Sequence, residues 1–464
     1  PNLTGAASAA EGLAMAVEVD EGGEAEEAAQ ADEEVPELLE LIDEVESASE
    51  EELPSVLVKI GIRLRASPKD RDLLSDFEGI NQIADILNKS NWQGEAMLAF
   101  CRIMPEVCRT SLVNRACLRE TGFLVATVKM LKKALDTKDE HVLLAGCAAI
   151  TAMCTANDAN KQVAAQVFEE KGVIDDADEK PLHGAIFLLL DTLEAFPESV
   201  QLQTEAMAAL RSLVVDDDTR KSECMPSALE NREVLLSDKI YPKVRGIVEN
   251  ASKLASQPLK LTEQTLLLLR EISRGQERIQ ELAKPKGLMM PYVRKALGSS
   301  EARLVRAALA VLRAFAFCED VRDELSLSCE TKGYVQAVRD HLGTPVVCEQ
   351  GYGLLANLTL RNPAMASFLN DADHQVISLG QLVLDKHPDR PDVAKSVIQL
   401  LWSVSRQNPK ALAEVRDAEM FVGLRKMVGE HQDQQRWHGA VEVGNGWDPR
   451  SDKAEDIASF TWRF

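Results

Sequence analysis

The sequence predicts an all-α protein, a right-handed α-solenoid of stacked helical repeats, and three observations predict it. Aromatic residues make up only 5% of the 464 positions while apolar residues reach 45%, with Leu and Ala abundant. Sandwiches and barrels draw on β-branched and aromatic side chains, so this composition favours helices. The length exceeds the ~100–200 residues of a typical domain, which points to several domains or an extended array. The third observation is internal repetition.

One phrase recurs, an Ala-rich helical stretch with a large apolar residue and another three places on. It reads Glu95-Ala-Met-Leu-Ala-Phe100-Cys-Arg-Ile103, Ala145-Gly-Cys-Ala-Ala-Ile150-Thr-Ala-Met153 and Glu205-Ala-Met-Ala-Ala-Leu210-Arg-Ser-Leu213. Further copies centre on Leu269, Leu312, Leu355 and Leu401. The seven anchors are spaced by 50, 60, 59, 43, 43 and 46 residues. The last three steps lie in or near the ~40–47 residues of an armadillo or HEAT unit. The longer ones carry polar, acidic inserts between Glu169 and Lys180 and between Asp216 and Arg232. An eighth, degenerate copy precedes, from Leu53 to Leu87, giving about eight armadillo-like repeats.

Seven residues after several anchors stands a helix-starting residue: Asn157, Asp217, Asn362 and Asn408, the last two followed by Pro. Asn or Asp at a cap satisfies orphan amides, and Pro at the first helical position presets φ. Each unit therefore reads as a long inner helix, a capped turn, a short helix and another apolar helix. Such a unit cannot bury its apolar face alone and must stack on its neighbours.

The charge is unevenly placed. Up to Leu53 there are 18 Asp and Glu with no Lys or Arg, and the rest of the chain holds 57 acids against 52 bases. The formal net charge of −23 thus belongs mostly to the N-terminus. Residues 1–36 read as a disordered acidic tail, poor in groups that could repay ordering. Residues 37–432 form the repeat solenoid, opening with the amphipathic Leu38, Leu39, Leu41 and Ile42. Residues 433–464 are a Trp-containing C-terminal extension. The acidity argues against nucleic acid and anionic lipid as partners. The longest strongly apolar uncharged run, Val142 to Asn157, is 16 residues, too short to cross a bilayer. The acid-rich start is the reverse of a transit peptide. Nine Cys without a CxxC pair suit reduced thiols of an intracellular, cytoplasmic protein.

The segments Ala209-Leu-Arg-Ser-Leu-Val-Val-Asp-Asp-Asp-Thr-Arg220 and Val347-Cys-Glu-Gln-Gly-Tyr-Gly-Leu-Leu-Ala-Asn-Leu-Thr-Leu-Arg-Asn-Pro363 resemble the armadillo repeat-containing protein 6 family. The likeness covers roughly Glu37 to Gly429 in organisation, with motif agreement in those two patches. It implies an armadillo fold and a non-enzymatic interaction protein. Where that family carries a histidine-bearing loop, this chain has Lys221-Ser-Glu-Cys-Met-Pro226, so no histidine role carries over.

Motifs for catalysis are missing: no Gly-rich phosphate loop, GxSxG elbow or HExxH occurs, and the seven His are scattered without metal-ligand spacing. The sequence therefore predicts no enzyme activity, no cofactor and no metal. Importin-like armadillo proteins clamp basic peptides with a Trp two before and an Asn two after the anchor. Here only Asn357 fits, which disfavours that ligand.

Arg211, Arg270 and Arg313 follow the anchor in three successive repeats. At about 100° per residue they lie toward the groove edge. They read either as a basic stripe that grips an acidic or extended peptide, this chain's own tail included, or as partners of acids in the adjacent repeat. Trp437, Trp447 and Trp462 stand in an irregular segment, either as anchors in a partner's pockets or as a cap over the last repeat. The function expected is a scaffold, adaptor or subunit of a hetero-complex with other proteins. A heat-shock chaperone nucleotide-exchange cofactor and a structural subunit of a ciliary, axonemal or organelle complex are the alternatives.

Overall fold

The computed structural model describes residues 37–417 other than 50, 77, 90, 91, 93, 167–183, 219, 221–225, 255–257, 274–275, 284–288 and 372–373. The acidic tail, the Glu169–Lys180 insert and the C-terminal extension with Trp437, Trp447 and Trp462 lie outside the described residues. The described chain is helical, and it divides between residues 256 and 257 into two compact units.

The first unit holds α1 (Leu38–Ser47), α2 (Leu53–Ala66), α3 (Asp70–Asp76), α4 (Gly79–Lys89), α5 (Gly94–Cys108), α6 (Leu112–Glu120) and α7 (Phe123–Thr137). It continues with α8 (Glu140–Cys154), α9 (Asp158–Ala165), α10 (Ala185–Ala195), α11 (Val200–Val214), α12 (Ser227–Leu236) and α13 (Tyr241–Lys253). The second holds α14 (Leu259–Ile272), α15 (Gln276–Leu282), α16 (Met289–Leu297), α17 (Ala302–Phe315), α18 (Glu319–Leu325) and α19 (Ser328–Asp340). Its last helices are α20 (Pro345–Leu358), α21 (Pro363–Leu369), α22 (Val376–Lys386), α23 (Pro391–Gln407) and α24 (Pro409–Asp417).

Each repeat is a short helix, a middle helix and a long inner helix, as the sequence predicts. The inner helices pack in chain order, α2 on α5, α8 and α11 in the first unit, and α14 on α17, α20 and α23 in the second. The seven anchors Phe100, Ile150, Leu210, Leu269, Leu312, Leu355 and Leu401 all have no solvent exposure. Burying one such side chain is worth roughly 1.5–3 kcal/mol, so the recurrent phrase is the seam on which repeats stack. The degenerate copy is also present, with α2 as its inner helix.

The caps are where the sequence puts them, with one exception. Asn157 Oδ1 accepts from Asn160 N at 3.1 Å, Asn362 Oδ1 from Met365 N at 3.0 Å, and Asn408 Oδ1 from Lys410 N at 3.0 Å. Asp217, expected to start a helix, does not; the next helix begins only at Ser227. Its carboxylate instead accepts from Ala156 N at 3.1 Å, at the turn that leads into α9. The insert around it lengthens this repeat, so the residue in cap phase is free to serve the preceding one.

The first unit also carries a polar spine along its short helices. Asn114 Nδ2 donates to Arg71 O and Val107 O, both at 2.7 Å. Asn160 Nδ2 donates to Arg115 O and Met153 O, both at 2.8 Å. Asn231 Nδ2 reaches Leu213 O at 3.0 Å and Lys161 O at 3.5 Å. Each amide thus joins the last turn of its own inner helix, at Val107 O, Met153 O or Leu213 O, to the short helix of the repeat before. In the second unit the residues three after the caps Asn362 and Asn408 are Met365 and Ala411, buried and apolar.

Candidate functional site

The inner helices of the second unit bring two of the three predicted arginines and Asn357 onto one surface. Arg313, near the end of α17, reaches across to α20. A Cβ placed at Gly353 would lie 2.5 Å from Arg313 Cζ, so the guanidinium lies against the α20 backbone in a space that only glycine leaves open. There Arg313 Nη1 is 3.8 Å from Glu349 Oε1 and 3.5 Å from Gln350 Oε1. Asn357 Nδ2 donates to Arg313 O at 3.2 Å, tying α20 to the end of α17.

Burial lowers the Arg313 pKa, with Glu349 opposing the shift and Arg270 adding to it by repulsion. Burial likewise raises the Glu349 carboxyl against the pull of Arg313. Arg270 is the more exposed of the two arginines, and its Nη1 lies 3.7 Å from Oε1 of the buried Glu271. Nearby, Arg306 Nη2 meets Glu263 Oε1 at 2.6 Å, and Arg390 chelates Asp392 through contacts of 3.1 and 2.6 Å. Every arginine named on this surface therefore has a carboxylate beside it, a mosaic of pairs in place of a uniform basic stripe. Arg211 stands on α11 in the first unit, half-buried.

Sequence reasoning missed a second cluster, at the C-terminal ends of α2 and α5. Glu106 is buried, and Arg65 Nε and Arg109 Nη2 both lie 3.2 Å from its Oε1. Arg71 Nη2 is 3.9 Å from Oε2. The signal was faint: an acid in the last turn of an apolar inner helix, with arginines 3 residues after it and 35 and 41 before it. Among the described residues no group of three or more His, Cys, Asp and Glu could hold a metal ion, and no helix is long and apolar enough to cross a membrane.

Within each unit, inner helices stacked in chain order with short and middle helices between them give this chain an armadillo-type repeat fold. No protein-family profile matches the chain. It is similar to Armadillo repeat-containing protein 6 of Pongo abelii, 29% identical over 188 residues, and of Homo sapiens, 28% identical over 190 residues. Each match takes in 39% of this chain and 36% of the relative, so the chain aligns with about a third of the length of these proteins. Among solved structures, one from a study of a phosphorylation switch controlling the interaction between cadherin and beta-catenin superposes with a TM-score of 0.53. It is 17% identical and covers 87% of this chain and 76% of that one, a likeness of fold.

Proposed function

We propose that the protein is a non-enzymatic scaffold or adaptor, a subunit of a larger assembly, that binds other proteins along the faces of its inner helices. The observation that carries this is the alignment of Arg270, Arg313, Glu349 and Asn357 across three neighbouring inner helices. Two arginines one place after the anchor in successive repeats, with Glu349 and Asn357 of the next inner helix beside them, suit an extended segment that carries acidic groups. Arg211 offers the same chemistry on α11. Trp437, Trp447 and Trp462 are proposed as further anchors in the same assembly. The structural neighbour of like fold comes from work on an interaction between two proteins, cadherin and beta-catenin, which accords with a binding role. A cytoplasmic setting accords with the seven described cysteines, all of them free thiols.

The test is cross-linking mass spectrometry of native material, followed by capture of the identified partner with Arg270→Glu and Arg313→Ala chains. The expected result is loss of partner recovery with both, at unchanged thermal stability for Arg270→Glu. Undiminished recovery with both variants would overturn the proposal.

A further inference from the structure

Arg270, Arg306, Arg313 and Arg390 of the second unit each have their own acid beside them, and the arginines at the ends of α2 and α5 do not. Arg65 and Arg109 share one oxygen of Glu106, while Oε2 of that carboxylate and Nε of the buried Arg71 have no hydrogen-bond partner among the described residues. Arg102 lies four residues before Glu106 on α5, within about 40° of it around the helix. It is half-buried and forms no ion pair among the described residues. Behind the cluster, Arg63 is held by Asp70 at 2.5 Å, and Arg71 is offset by Glu106 and then by Asp72 beside it.

The inner-helix side therefore presents Arg65, Arg102 and Arg109 against Glu106 alone, a surplus of two positive charges. The C-termini of α2 and α5 each contribute roughly half a negative charge. About one positive charge remains. Repulsion from Arg109 is the second cause, after burial, of the lowered Arg71 pKa, in keeping with that surplus. Both Arg65 and Arg109 are 38% exposed, open enough to take a further ligand.

We infer that Arg65, Arg102 and Arg109 form a carboxylate-binding site, and that its occupant is the acidic segment 18–34 of this same chain. That segment has nine Asp and Glu and no Lys or Arg. It joins the described chain at Glu37, whose Oε2 is bound by Arg63 at 2.8 Å, two residues from Arg65 on α2. Ten residues of extended chain reach about 35 Å, so the segment has the length to arrive at the site. Joined covalently, it acts at an effective concentration on the order of millimolar, ahead of any acidic partner in solution. Guanidinium pairs suit carboxylates through two parallel N–H···O bonds. This inference rests on the reading of the inner-helix face as the binding surface, and assigns part of that face to an internal ligand.

The test uses the full chain in two forms, native and with the nine acids of residues 18–34 changed to Asn or Gln. The probe is a fluorescent synthetic peptide of residues 18–34, followed by anisotropy at low salt and at about 0.5 M salt. The neutralised chain is expected to bind the peptide in a salt-sensitive way, and the native chain to bind it at least about tenfold more weakly because its own segment competes. In the neutralised chain, Arg102→Glu should weaken binding about tenfold without shifting thermal unfolding, since Arg102 supports no ion pair. Arg65→Gln with Arg109→Gln should also weaken binding, with circular dichroism as the control for folding because both arginines support the buried Glu106. Absence of binding at low salt, equal binding by the two forms, or no loss with Arg102→Glu would each overturn the inference. Partner capture by the second-unit surface is a separate measurement, so a failure here leaves that result standing, and the reverse.

Discussion

Lys161 Nζ and Asp217 Oδ1 lie 2.5 Å apart, joining the short helix α9 to the segment that follows inner helix α11. The lysine side chain has no solvent exposure, and its ammonium also donates to Val215 O at 2.6 Å and faces Asp158 Oδ1 at 3.2 Å. A cation at the end of α11 also meets the negative pole of that helix. One buried charge thus fastens two successive repeats. Removing one partner of such a pair typically costs 3–5 kcal/mol, and the 30% exposure of Asp217 places this one lower, so Lys161→Met should cost about 2–3 kcal/mol. Asp217→Asn keeps an acceptor for Lys161 and should cost about 1 kcal/mol. Urea unfolding, with hydrogen exchange at α9 and α11 to localise the loss, checks both. A Lys161→Met chain as stable as the native one would show that the pair contributes nothing net.

The asparagine spine makes its own prediction. Asn160→Ala leaves Arg115 O and Met153 O without their shared donor, and Asn114→Ala does the same to Arg71 O and Val107 O. Each substitution should cost about 1–3 kcal/mol, the usual penalty for stranding a buried polar group. Met365→Ala, at the matching place in the second unit, should instead show the cost of a cavity and no change in the exchange of neighbouring helix ends.

Two glycines of α20 should respond differently to alanine. At Gly353 the new Cβ meets the far end of the flexible Arg313, which can swing away. Stability should change by less than about 1 kcal/mol while the contact with Glu349 is lost. At Gly351 the Cβ meets the γ-methyl of Val338, a stiff β-branched side chain with no room to yield. Overpacking there should cost about 1–3 kcal/mol. Thermal melts of Gly351→Ala and Gly353→Ala, set beside Arg313→Ala, separate the two effects.

Acid should loosen the turn after α11. Asp218 accepts two bonds from the Arg220 guanidinium, at 2.8 and 2.5 Å, one from Arg220 N at 3.1 Å and one from Asp158 N at 2.9 Å. The Arg220 bonds hold its carboxyl well below the usual range, against the opposing effect of burial. With the folded value depressed, the unfolded chain takes up the proton first as pH falls. The stabilisation is full above the unfolded value of about 4 and is lost as pH drops toward the folded one. Asp218→Asn should flatten the acid limb of melting temperature against pH between about 5 and 2. An identical acid limb in the variant would mean that other carboxylates govern it.

Among the described cysteines, Cys117 should be the first to react with a maleimide at about pH 8, because the thiolate is the reactive form and needs access. It is partly exposed, whereas Cys101, Cys108, Cys147, Cys154, Cys318 and Cys348 are buried. Burial pushes the Cys101 and Cys108 thiols up to about 12. Labelling followed by peptide mass mapping should show the six buried thiols modified only after denaturant is added.

The amino-acid sequence by itself determined the helical class, the repeat unit and its stacking seam. Those rest on local periodicity and on caps that close within three residues, as Asn362 does on Met365 N. It also placed Arg270, Arg313 and Asn357 at the ends of inner helices. Only the tertiary structure decided what those groups meet. Arg313 finds Glu349 because glycine at 353 leaves the α20 surface bare, and nothing in a linear pattern says that the two will touch. Asp217 sat in cap phase yet serves the preceding repeat, because the insert after α11 moves the next helix start to Ser227. Glu106 and the arginines from 41 residues before it to 3 after it are scattered along the chain and gather only where α2 and α5 end side by side. Short-range hydrogen bonding and apolar spacing are written residue by residue, whereas charge pairing acts through space between chain segments that stacking brings together.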